Sequence, residues 1–143
     1  MQLRPMTLED YDAVMALLGG VEGVCLRGAD ERENIARYLA RNPGMSLVAA
    51  EDWRIIGCVF GGHDGRRGYL QHLAVAPGMR GKGIARSLVE AAMLAIAADG
   101  IEKFHVDVLL HNKAARAAWK RLGWQRRSDI VRFSFAPASN PDA

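Results

Sequence analysis

The segment that most restricts the fold of this 143-residue chain is a strand-like run that passes through Pro77-Gly78-Met79-Arg80-Gly81-Lys82-Gly83 directly into a long helical repeat. Tyr69 to Ala76 reads as the strand. Ile84, Leu88, Val89, Ala92, Met93 and Ile96 then recur at helical spacing until Gly100. A second strand is expected from Lys103 to Leu109. Strand, helix and strand in that order imply a right-handed parallel crossover, which needs a layered α/β architecture. The junction is also an anion site in outline. A helix N-terminus leaves about four N–H groups without intrahelical partners and carries roughly half a positive charge. Gly81 and Gly83 add no side-chain bulk, Arg80, Lys82 and Arg86 add cations, and no carboxylate occurs between Asp64 and Glu90. A di- or triphosphate-like group is the expected ligand. The spacing matches neither a P-loop nor a dinucleotide fingerprint, whose third glycine position is Arg86 here.

The flanks complete one mixed α/β (α+β) domain over residues 1–136. Thr7 and Asp10 form a near capping box ahead of a helix at about 8–18, and Asp30 is read as the cap of a second helix that closes at Asn42-Pro43-Gly44. Ser46 to Ala50 and Ile55 to Gly61 read as a hairpin, with a loop through residues 62–68. Asn112 opens a last helix that Gly123 stops. Trp124 to Arg127 and Val131 to Phe135 are expected to close the sheet as an antiparallel pair, with residues 137–143 a disordered tail.

Composition narrows the function classes. Half of the residues are hydrophobic and 24% charged, so the chain can bury a core. Two cysteines do not make a disulfide framework, and the N-terminus lacks the organisation of a signal peptide. The longest apolar stretch, Ala91 to Ala98, falls far short of the roughly 20 residues that span a bilayer. A cytoplasmic protein with no membrane partner is expected. Residues 1–62 carry six basic and nine acidic groups, and residues 63–143 carry 13 and seven. The basic C-terminal half includes Lys113, Arg116, Lys120, Arg121, Arg126 and Arg127, but a solvated helix face accounts for these charges without nucleic acid. No cluster has metal-ligand spacing.

Two motifs together carry a family resemblance. Arg80-Gly81-Lys82-Gly83-Ile84-Ala85 resembles the R/Q-x-x-G-x-G/A signature of the GNAT superfamily of acyl-CoA-dependent N-acyltransferases. Asn112, Ala115, Trp119 and Gly123-Trp124 resemble its N-x-x-A-x-x-x-Y-x-x-x-G-F pattern. The 61–68 loop is similar to that of small bacterial YpeA-type members. The resemblance implies a GNAT-like fold: a mixed, mostly antiparallel sheet with two splayed parallel strands and about four helices. It also implies acetyl-CoA as cosubstrate, no metal, and direct attack by a primary amine in a ternary complex. Arg80, Gly81, Lys82, Gly83, Ile84 and Ala85 would hold the pyrophosphate, with Ser87 as an extra donor. Backbone groups of Leu73 and Val75 would pair with the pantetheine arm, and Asn112 and Ala115 would bound it from the other side.

For the chemistry, Asp107 is the candidate base, with His72 and His111 as rivals. Strand alternation puts Asp107 on one face with His105 and Leu109. Trp119 stands where the family carries a phenolic acid; an indole N–H donates a hydrogen bond but is no Brønsted acid near neutrality. Tyr69 is a candidate replacement. The expected acceptor is a small-molecule, peptide or protein amine, met by an acidic N-terminal region that includes Glu22, Asp30, Glu31 and Glu33. A homodimer built on an exposed strand is compatible with the fold. The alternative function is a non-catalytic acyl-CoA-binding sensor or interaction module, suggested by Trp119.

Overall fold

A computed structural model describes residues 1–21 and 23–143. Glu22, one of the acids assigned to the acceptor side, lies outside the described residues. The elements in order are β1 (Gln2–Pro5), α1 (Tyr11–Gly19), α2 (Arg32–Arg41), β2 (Leu47–Glu51), β3 (Arg54–His63), β4 (Gly68–Val75), α3 (Ile84–Ala97), β5 (Phe104–Val106) and α4 (Lys113–Arg121). The strands form one sheet in sequence order, antiparallel from β1 to β4 and parallel between β4 and β5. This is the mixed α/β architecture expected from the crossover. No helix among the described residues is long and apolar enough to cross a membrane.

The sheet is covered on both faces, and strand alternation sorts its side chains between them. Leu47, Ala49 and Val59 pack with Leu70 and Val75 under Ile84, Leu88, Val89, Ala92 and Ile96 of α3. Val48, Cys58 and Phe60 face the other way, onto Val14 and Leu18 of α1 and Ile35 of α2. The β2–β3 hairpin turns on Asp52 and Trp53, both at positive φ, between the paired Glu51 and Arg54. Two consecutive left-handed residues suit the right-handed twist of the flanking strands.

Two expectations change and one strand is added. β1 was not legible, because four residues of mixed polarity ending in proline carry no periodic signal; it forms as an edge strand against β2. β5 is three residues long instead of spanning 103–109, because only Phe104–Val106 finds a partner strand, at Gly68–Leu70. The antiparallel pair expected at 124–127 and 131–135 is absent: the chain runs from Gly123 onward without strand structure, and Val131, Phe133 and Phe135 stand 79%, 93% and 93% exposed. Alternation marked a strand correctly in pattern, but a strand exists only where a second backbone accepts its hydrogen bonds. The tail is joined to the body by the N–H of Gly28, which donates to the carbonyl of Asp142 at 2.9 Å.

The entry to α1 is held by a half-buried charge network. Arg4 makes two 2.8 Å hydrogen bonds to the carboxylate of Asp10, which also accepts the backbone N–H of Thr7 at 2.9 Å. The guanidinium, followed by the Thr7 contacts, holds the Asp10 carboxyl below its ordinary value against the opposing effect of burial. Asp10→Asn is therefore expected to destabilise the protein by about 1–3 kcal/mol at neutral pH. A depressed carboxyl stabilises fully above its unfolded value, about 3.9, and ceases to do so as pH falls through its folded value. The gap between wild type and variant in urea unfolding should accordingly be constant near neutrality and close in acid.

Candidate functional site

β4 and β5 share only three register pairs, the last being Leu70 with Val106. β4 continues five residues further, to Val75, bonded to β3 alone. The two parallel strands therefore open into a wedge, and a cleft of about 230 Å3 lies at its apex, lined by Tyr69, Leu70, Gln71, His72, His105 and Asp107. His105 and Asp107 share the cleft, while Val106 and Val108 pack into the core under α3, as alternation predicted.

At the apex β4 is irregular. Phe60 pairs with Gln71 and Cys58 with Ala74, so Val59 stands opposite both His72 and Leu73. This extra residue is a β-bulge, and His72 carries it at φ 50°. Leu70 and Ala74 would share a face of a regular strand, yet Leu70 packs beneath α3 and Ala74 against α1 and its neighbours. The bulge thus turns His72 and Ala74 to the α1 face, and Leu73 and Val75 to the α3 face. Cys58 braces the distortion. Burial pushes its thiol up to about 12, so it stays protonated, and Sγ lies 3.5 Å from the His72 carbonyl it donates to.

The imidazole of His72 is fixed on two sides. Phe60 meets its ring edge-on at a centroid distance of 5.7 Å. Nε2 lies 2.8 Å from Oδ1 of Asp30, with the two side chains only 19% and 11% exposed. Burial alone would raise the Asp30 carboxyl, but His72 and the backbone N–H of Arg27 hold it below the usual carboxylate range. An ionised Asp30 selects the tautomer with the proton on Nε2. Nδ1, which meets no protein hydrogen-bond partner among the described residues, is then the basic nitrogen. Tyr11 supports the same loop by donating its hydroxyl to the Asp30 carbonyl at 2.7 Å. Asp30, read from sequence as the cap of the second helix, is instead committed to this pair; the residue at the cap of α2 is Glu31. A contact spanning 42 residues leaves no local sequence signal.

At the wide end of the wedge, Gly81 and Gly83 sit at φ 79° and 80°, and Gly83 is the N-cap of α3. None of the Gly81–Gly83 amides finds an acceptor among the described residues. Arg80 is drawn back to the end of β4, its Nε donating to the Val75 carbonyl at 3.2 Å. Arg86 donates to the carbonyl of Arg121, and Lys82 remains exposed. Ile84 is buried in the core.

The remaining candidates are dispersed. Asn112 caps α4, its Oδ1 accepting the N–H of Ala115 at 3.0 Å. Asp107 is mostly exposed and paired with Arg132 at 2.7 Å. Tyr69 lies in the cleft against His105, with ring centroids 5.8 Å apart. Trp119 is buried away from the lining residues, stacked edge-on with Trp124 at 4.8 Å. His111 is exposed. No group of three His, Cys, Asp or Glu residues that could hold a metal is found among the described residues.

Comparison with known proteins gives the family and the fold. The acetyltransferase (GNAT) family matches residues 14–124. An acetyltransferase of Pectobacterium atrosepticum is 33% identical over 126 residues, covering 87% of this chain and 88% of the relative. The aminoglycoside 6'-N-acetyltransferase of Acinetobacter haemolyticus superposes with a TM-score of 0.76 at 21% identity, over 96% of this chain and 99% of that one. A predicted acetyltransferase of Clostridium acetobutylicum, solved with acetyl-CoA, gives 0.72 at 18% identity over 93% and 95%.

Proposed function

This chain belongs to the GNAT acetyltransferase family, and from that premise we propose that it transfers an acetyl group from acetyl-CoA to a primary amine within a ternary complex. The observation that carries the reading is the opening of the β4–β5 wedge together with the left-handed glycine turn at the start of α3. The amides of residues 80–85 receive the pyrophosphate, with Ser87 beside them, and the edge of β4 at Leu73 and Val75, which has no neighbouring strand there, receives the pantetheine arm as an added strand. Asn112 and Ala115 bound the arm at the start of α4. The thioester then lies at the bulge, beside His72 and Tyr69.

An ammonium has no lone pair, so the acceptor must lose a proton before it attacks. His72 takes that proton on Nδ1, directly or through one water, and Asp30 steadies the resulting imidazolium through Nε2–H. The neutral amine attacks the thioester carbonyl, whose developing oxyanion accepts a backbone N–H from the Leu73–Val75 segment. Collapse releases the thiolate, which takes up the proton shed by the attacking nitrogen, relayed by Tyr69 or water. Asp107 is the competing base at the cleft rim, and its pairing with Arg132 suits it equally to positioning a cationic acceptor. Asp30, Glu31, Glu33 and Asp107 favour a cationic amine of a small molecule or a peptide.

Thermal unfolding with acetyl-CoA, free CoA, NAD and a DNA duplex tests the binding half. A ligand at 100 times its dissociation constant stabilises by about 2.7 kcal/mol, several degrees for a domain of this size. Shifts with the two coenzyme A species alone are expected, followed by thiol release when amines are supplied. Stabilisation without thiol release from any amine would favour the acyl-CoA-binding module, the reading that Trp119 in place of a phenol supports. Asp107→Asn separates the two bases: a pH–rate profile parallel to wild type assigns proton transfer to His72, and loss of the acidic limb assigns it to Asp107.

A further inference from the structure

Residues 140–143 touch the turn that carries Asp30. Asn140-Pro141-Asp142-Ala143 has the residue order favoured by a type I turn, asparagine first and proline second. It closes as that order requires, the Ala143 N–H donating to the Asn140 carbonyl at 3.3 Å. The turn's own bond does not use the carbonyl of its third residue, and that carbonyl, of Asp142, accepts the N–H of Gly28 at 2.9 Å. Gly28 opens the single turn Gly28–Asp30, whose last residue holds His72 at 2.8 Å. Both main-chain groups of Gly28 are committed elsewhere, the N–H to Asp142 and the carbonyl to Nδ2 of Asn34 at 2.7 Å. The chain leading into the turn offers little support of its own. From Val24 to Leu26 no backbone N–H donates to a backbone carbonyl among the described residues, and Cys25, Leu26 and Arg27 are exposed. The turn is therefore anchored from outside: by Tyr11 on the Asp30 carbonyl, by Asn34 on the Gly28 carbonyl, and by Asp142 on the Gly28 N–H.

We infer that residues 140–143 are a positioning strap: by taking the Gly28 N–H they hold the Gly28–Asp30 turn, and with it the Asp30 carboxylate, against His72. Tyr11 and Asn34 restrain the carbonyls of the turn from α1 and α2, and the strap restrains its opening N–H from a third direction. A turn that lifts at Gly28 carries the carboxylate off the imidazole, and the ring loses the partner that fixes its tautomer. A misplacement of about 1 Å is enough to slow a step that depends on alignment. The consequence for turnover rests on the reading of His72 as the base; the hold on Asp30 does not.

Gly28→Pro in the full chain removes the N–H at little cost to the turn. Proline suits the first position of a helical turn, and Arg27 before it is already extended at φ −127° and ψ 179°, as a residue preceding proline must be. Gly28→Ala is the control. It keeps the N–H, and its methyl would lie 3.4 Å from the Asp142 oxygen, an ordinary contact. The first readout is the Nε2–H proton of His72 in heteronuclear NMR, which the hydrogen bond to Asp30 shields from exchange with water. It should be visible in the wild type and in Gly28→Ala, and lost in Gly28→Pro. Pro141→Gly loosens the strap from its own exposed side, away from the core, and should weaken the same signal. In Gly28→Pro, kcat should fall about three- to tenfold, the worth of one hydrogen bond, with the KM for acetyl-CoA unchanged. A His72 signal that persists in both Gly28→Pro and Pro141→Gly, or that is missing from the wild type, overturns the inference. Loss of the signal with kcat unchanged upholds the strap and counts instead against His72 as the base.

Discussion

Replacing Gly83 by glutamate is expected to lower acetyl-CoA affinity at least 100-fold in calorimetry. Two effects combine at this position. Gly83 holds φ 80° at the N-cap of α3, where a side chain on any L-residue costs about 1–2 kcal/mol of left-handed strain. The added carboxylate would also occupy the helix N-terminus, taking the amides and the positive end of the dipole away from the pyrophosphate. Gly83→Ala separates the two. No atom lies within 4 Å of where its methyl would sit, so it brings the strain without the charge or the obstruction. Alanine should lose stability in urea but keep most of the affinity, and glutamate should lose both. Unchanged affinity in the glutamate variant would remove the pyrophosphate from this turn.

The second large effect is expected at His72. Asparagine is the replacement of choice because the site lies at φ 50°, a region that Asn tolerates better than most residues. His72→Asn should reduce kcat by about 10²–10⁴-fold with little change in acetyl-CoA affinity, the size usual for a lost general base. The sign with pH follows from the role. A base works only when unprotonated, so wild-type turnover should fall as pH is lowered, and the variant should lose that limb. The other titratable groups of the cleft, Tyr69, His105 and Asp107, remain in the variant, so a limb that persists would assign the step to one of them. Asp30→Asn is the companion measurement. Asp30 is held below the usual carboxylate range and stays ionised across the working pH, so it sets no limb of its own. Its loss should lower the rate, because the imidazole loses the carboxylate that orients it and steadies the imidazolium formed on proton transfer.

What was legible in the sequence follows from where the physics is local. The strand-to-helix junction, the α3 repeat and the β2–β3 hairpin depend on side-chain period and on glycines within a few residues, so reading along the chain finds them. Gly81 and Gly83 occupy the left-handed positions that a tight turn into α3 requires, and Asn112 caps α4 as its spacing implied. Even the shared face of His105 and Asp107 is a matter of alternation over three residues.

Tertiary structure alone decided the rest. The β-bulge at His72 arises from register against β3 and from the Cys58 contact, neither of which is written in β4 itself. It reverses the alternation of the strand halfway along, and so it determines which side chains enter the cleft and which enter the core. Asp30 joins His72 across 42 residues because α1 and the loop after it pack on that face of the sheet. The C-terminal segment marks the same boundary from the other direction. Residues 131–135 carry the alternation of a strand, which is written in the sequence, but a ladder needs a second backbone, and none is bonded to them among the described residues. Side-chain period is a property of the sequence, whereas hydrogen-bond partners and cleft geometry are properties of what the fold brings together.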